Sequence, residues 1–192
     1  MPTTTTTPPP TRSPWGTVQS ATAYGPFWSV STAGHGGVKV PRALNAKIDA
    51  SVRRKGGWYE EDIDWAIVAA TFPEHFDEKT RESALSTLRN WHADFYEKLT
   101  GEKLTPANSR QRAEEAFEKE TADKWVVISA CGDWKTGVPK GMVEVFATLG
   151  GKRTSADHQA GRTFLVTAEE YDKRTSFGFV VDESRHQEVR SG

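Results

Sequence analysis

A chain of 192 residues, 36% of them hydrophobic, suits one compact domain or a domain with a tail, and can bury a core without disulfides. Its 25 basic and 26 acidic side chains are interspersed and leave a net charge of −1, which excludes both a clustered basic nucleic-acid binder and a heavily acidic mimic of DNA. One cysteine, Cys131, rules out an intramolecular disulfide. It lies in an apolar run, so a buried, inert thiol is expected ahead of a nucleophile.

Residues 1–13 are Thr- and Pro-rich and cannot bury enough apolar area to offset ordering, so they read as a disordered tail. A single α+β domain is expected over 14–192. Residues 17–24 and 27–32 flank Gly25-Pro26, a turn signal, and read as a hairpin ending in a Gly34-His35-Gly36-Gly37 loop. Pro41 suits a first helical turn, Leu44, Ile48 and Val52 share a face, and Gly56-Gly57 end that helix. A second helix is expected from Glu60 or Glu61, with Ile63, Ala66, Ile67 and Ala70 on one side. The longest helix is expected over 78–99, where Leu85, Leu88, Trp91, His92, Phe95 and Leu99 form one stripe to pack on a C-terminal sheet. Residues 107–123 read as a charged surface helix with Phe117 as its one large apolar group.

The last third changes character. Residues 125–131, 142–149, 163–167 and 177–181 are rich in β-branched and aromatic side chains and read as strands. The loop over 132–141 holds an exposed Trp134. Residues 150–161 read as mobile, and His186 to Glu188 as a solvated tail. The order predicts α+β architecture: a mostly antiparallel sheet with helices packed on one face.

Two blocks stand apart, STAGHGG at 31–37 and GGWYEEDIDWA at 56–66. Glycine costs backbone entropy and is kept where chain must turn tightly or approach another group closely. His35 is therefore a candidate general base or ligand, with Glu60, Glu61 and Asp62 as carboxylate partners. Acids in a first helical turn also offset the helix dipole, and no His or Cys ligand spacing accompanies them, so neither metal nor cofactor is assigned. Trp58, Tyr59 and Trp65 read as core. Phosphate-binding glycine loops, zinc-protease helices and nucleophile elbows are missing.

The runs PWGTVQSATAYGP, VSTAGHGG, RRKGGWYEEDIDWAIVAATFP, VVISACGDWKTGVPKGMVEVFAT and SFGFVVDESRHQEV together resemble an uncharacterised domain family of proteobacterial plasmids, prophages and other mobile elements. Genes of that kind travel beside anti-restriction and anti-CRISPR genes, and the resemblance implies an accessory protein that counters a host-defence system. Two expectations follow. One is a cytoplasmic binding module that docks on a host defence protein or nuclease complex through Trp134, Lys135, Lys140, Arg53 and Arg54, without a membrane and without tight binding to free nucleic acid. The other is a hydrolase or nucleotide-modifying enzyme using His35 with Glu60, Glu61 or Asp62. Convergence of those four residues in one concave pocket discriminates between them.

Overall fold

The computed structural model describes residues 7–189. The chain forms two compact units that meet in sequence between Arg112 and Ala113. The segment 1–6 of the expected tail lies outside the described residues. Within the rest of that segment, β1 (Arg12–Ser13) pairs with β2 (Gly16–Thr17).

The first unit is built on a hairpin. β3 (Ser20–Tyr24) and β4 (Phe27–Ser31) pair from Ser20↔Ser31 to Tyr24↔Phe27, closed by a two-residue turn in which Gly25 takes φ +55°. The strand expected to end at the glycines is instead followed by β5 (Gly36–Lys39), which pairs with β4 and carries His35 just before it. The helix expected from Pro41 shrinks to one turn, α1 (Arg42–Asn45), although Ile48 and Val52 are buried as the pattern requires. β6 (Trp58–Glu60) follows, so the acids expected to open a helix close a strand. The sheet order is β3-β4-β5-β6, antiparallel throughout.

α2 (Trp65–Thr71) places Ala66, Ile67, Val68 and Ala69 in the core. The long helix expected over 78–99 is two helices, α3 (Glu78–Trp91) and α4 (Ala93–Thr100), broken at His92 with φ −137° and ψ 54°. Asp77 caps α3 by accepting the Thr80 N–H at 2.7 Å. At the break, the Ala93 N–H is taken up by the Gln111 side chain at 2.8 Å. α3 packs on α2, and Leu88 joins Phe27, Tyr59, Ile48 and Ile67 in the core of this unit rather than in a C-terminal sheet. Trp91 and Leu99, read as part of the same stripe, are exposed.

Glu97 on α4 gathers three donors: Lys103 Nζ at 2.9 Å, the Leu104 N–H at 3.1 Å and Arg112 at 3.0 Å. The Lys103 bond, then the Leu104 and Arg112 bonds, draw its carboxyl from 4.5 to about 2. A carboxyl that titrates lower when folded stabilises fully above the unfolded value and loses that contribution as pH falls towards the folded one. Glu97→Gln is therefore expected to flatten the fall in stability between pH 4.5 and about 2. Urea unfolding across that window checks it; an unchanged slope counts against the network.

α5 (Arg110–Glu120) buries no side chain, in keeping with its charged sequence. The second unit is a sheet in the order β10-β9-β8-β7. β7 (Trp125–Cys131) and β8 (Met142–Leu149) occupy the residues read as strands. In β8, Val143, Val145 and Ala147 alternate inward, the period-2 signature of a half-buried strand. The polar stretch expected to be mobile contains α6 (Ser155–Ala160), opened by a capping box of Thr154 and Asp157. β9 (Arg162–Thr167) and α7 (Ala168–Asp172) follow. Residues 177–181 contribute two isolated bridges, Val126↔Val180 and Thr175↔Gly178, instead of a strand. The expected tail after them forms β10 (Gln187–Val189) on β9, and His186 is buried, its Nδ1 accepting the Asp182 N–H at 3.0 Å. The architecture is α+β with antiparallel sheets. No helix among the described residues is long and apolar enough to cross a membrane.

Candidate active site

The glycine-flanked histidine and the paired acids meet at one end of the first sheet. In the β5–β6 ladder Gly37 faces Glu60, and the Glu61 N–H donates to the Gly36 carbonyl at 3.2 Å. This rung sets His35, one residue before Gly36, beside Glu61. One ligand-type atom from each of His35, Glu60 and Glu61 lies within 4.8 Å of the other two.

Each position is held by its own device. Thr32 clamps the His35 loop: its N–H and Oγ1 both donate to the His35 carbonyl at 2.7 Å, and its Oγ1 accepts the His35 N–H at 3.2 Å. Glu60 Oε2 accepts the backbone N–H groups of Asp62 at 2.7 Å and Ile63 at 3.3 Å, which fixes that carboxylate against the chain. Glu61 folds over Gly36, where a Cβ would sit 2.2 Å from Glu61 Oε2. At Gly37 a Cβ would sit 2.3 Å from the Tyr59 carbonyl oxygen and 2.4 Å from the Trp15 ring. The two glycines are thus demanded by close approach, one to a carboxylate and one to packed backbone and indole.

Glu61 also forms part of the wall of a groove of about 320 Å³, together with Ser20, Thr22, Ser29, Ser31, Val38 and Trp65. Its hydroxyls come from facing strands; Ser20 and Ser31 are cross-strand partners whose Oγ atoms lie 2.7 Å apart. A polar molecule in this groove would meet these hydroxyl groups and the Glu61 side chain.

Asp62 is left out of the cluster. Trp58 is half-buried, edge-on to Trp15 at 5.8 Å. Tyr59 is fully buried with its hydroxyl on Asn45 at 2.7 Å. Trp65 packs on the core, so all three aromatics serve packing.

The residues read as a binding surface fall in both units. Arg53 donates to the carbonyls of Ile48 and Ala46, and Arg54 grips Asp64 through two bonds of 2.6 Å. In the second unit Trp134 is 78% exposed. Lys135 pairs with Glu144, and Lys140 with Asp133 at 3.1 Å.

Sequence reasoning missed one charged cluster. Asp64, just before α2, lies between Arg54 and His92, whose Nε2 is 3.4 Å from Asp64 Oδ1. Burial raises the Asp64 carboxyl, but His92 and Arg54 outweigh it and hold the group below its ordinary value. These residues are far apart in sequence, and no motif joins them. Their placement ties His92 to Asp64 where α3 and α4 part.

Comparison with curated proteins and with solved structures returns no match. The chain belongs to the family described as a domain of unknown function (DUF7007), whose sequence model matches residues 8–122.

Proposed function

We propose that the protein is a hydrolytic enzyme whose centre is His35 with Glu60 and Glu61, acting on a polar ester, amide or phosphodiester bound in the adjoining groove. The observation that carries this reading is the convergence of a histidine and two carboxylates, one of which, Glu61, also walls a hydroxyl-lined cleft. An imidazole and a carboxylate within reach of one water are the components of general acid–base hydrolysis. His35 takes the proton of the attacking water and returns it to the leaving group as the scissile bond breaks, Glu61 orients that water, and the Ser and Thr hydroxyls hold the substrate's polar groups. The test is turnover of a panel of ester, amide and phosphodiester substrates by the purified protein. Turnover that disappears in Glu61→Gln supports the reading; a wild-type protein inert across the panel overturns it.

A second reading rests on Trp134. Such an exposed indole suits an anchor for a partner protein. Together with the resemblance to mobile-element proteins, it supports an anti-CRISPR or anti-restriction role through direct binding of a host defence protein or nuclease complex. Trp134→Ala is expected to weaken that complex by about 2 kcal/mol or more, roughly thirtyfold in Kd. Titration calorimetry with the captured defence protein checks it, and an unchanged Kd removes Trp134 as the anchor.

A further inference from the structure

We infer that His35, Glu60 and Glu61 form a three-ligand site for a divalent transition-metal ion of the zinc, manganese or cobalt class. The inference shares its residues with the hydrolase reading but concerns binding, and it stands or falls by a separate measurement.

The donor set argues for it first. One imidazole nitrogen and two carboxylates come from two chain segments that the β5–β6 ladder brings together. In a tetrahedral zinc site with bonds near 2.1 Å, ligand atoms are roughly 3.4 Å apart. The observed atoms lie within 4.8 Å of one another. His35 and Glu61 are exposed and sit at the rim, so small rotations about their side-chain bonds close the difference without moving backbone.

Charge argues for it next. Two carboxylates are held beside each other, and no Lys or Arg among the described residues pairs with either. Elsewhere in the molecule several acids do have such partners: Asp49 with Lys98, Asp64 with Arg54 and Glu97 with Lys103. Glu60 spends one oxygen on backbone N–H groups, which aims the carboxylate and leaves its other oxygen for a ligand. The Glu61 carboxylate makes no hydrogen bond among the described residues, and neither does the His35 ring. Gly36 keeps room for the Glu61 carboxylate against the loop. A cation is the partner that this arrangement lacks.

Ligand type selects the ion. Magnesium and calcium prefer all-oxygen shells, whereas an imidazole favours zinc and its first-row neighbours. Three protein ligands leave a coordination position free for water, as in catalytic rather than structural zinc sites. Glu61, one of the three, also walls the neighbouring groove.

The test uses the whole protein, stripped with chelator and titrated separately with Zn²⁺, Co²⁺ and Mg²⁺ by calorimetry. One equivalent of Zn²⁺ is expected, with Mg²⁺ at least a hundredfold weaker. His35→Ala and Glu61→Gln should each weaken Zn²⁺ at least tenfold, while Asp62→Asn leaves it unchanged. The visible band of Co²⁺ should appear in the wild type and be lost in His35→Ala, a signature that adventitious surface binding does not produce. Absence of stoichiometric Zn²⁺ binding, or binding that survives both variants, overturns the inference. Zinc bound in this way by a protein that hydrolyses nothing supports the site and sinks the hydrolase reading. Full hydrolysis by the metal-free protein, with no binding on titration, does the reverse.

Discussion

His35→Ala is expected to lower turnover about 10²–10⁴-fold, the span associated with loss of a positioned acid or base. Stability should change by no more than about 0.5 kcal/mol, because the ring is exposed and leaves no partner unsatisfied. The loop keeps its shape in the variant, since Thr32 binds only main-chain atoms of residue 35. Gly36→Ala offers a second route to the same outcome. Its new Cβ displaces the free end of Glu61, so activity falls while the fold is largely retained. Gly37→Ala behaves differently, because its Cβ runs into the Tyr59 carbonyl and the Trp15 ring, and neither can swing aside. Activity and melting temperature measured together on the three variants decide the matter. A His35→Ala protein with full turnover ends the catalytic assignment.

Leu88→Ala is expected to cost the first unit about 2–5 kcal/mol, the range for removing a fully buried leucine. Leu88 is 0% exposed, and α2 and its neighbours leave little freedom for the site to collapse. Trp91, three residues on, is 46% exposed and meets Arg110 across its ring at 5.2 Å. Trp91→Ala should therefore cost no more than about 1 kcal/mol, the scale of an exposed cation–π contact. The sequence stripe treats the two residues alike; the fold separates them. Urea unfolding reads both, as a shift in midpoint at constant slope for Leu88→Ala. Equal costs for the two variants would contradict the packing.

The elements legible in sequence are those with a strong local signal. Trp125–Cys131 and Met142–Leu149 are dense in β-branched residues, and the hairpin around Gly25 has a turn residue in place. Trp58–Glu60 is only three residues long, too short to display a period, and the acids after it imitate a helix start. The break at His92 is invisible because the apolar stripe runs through it, while Gln111 takes up the Ala93 amide from outside the helix. Phe177 to Val181 has strand composition but makes only isolated bridges, a matter of where neighbouring chain happens to lie.

The candidate site divides along the same line. His35, Glu60 and Glu61 are recognisable as chemistry because glycine flanking and paired acids are local features. Asp62 shares that local signal but is not part of the cluster, a distinction that only the fold makes. Arg53 and Arg54 show the converse: two exposed-looking cations in sequence that are spent on carbonyls and on Asp64. Asp64 and His92 could be joined by no sequence argument.

The bond from the Glu61 amide to the Gly36 carbonyl lies just past the last paired residues of β6. Terminal rungs open at lower free energy than the strands behind them, so this one exchanges its amide hydrogen through local fraying rather than global unfolding. Each opening carries Glu61 away from His35 and dismantles the cluster while the core of Phe27, Tyr59 and Leu88 stays closed. Anything that bridges His35 to Glu61 holds the rung shut, so slowed deuterium uptake at this single amide would report occupancy even for a ligand of unknown identity.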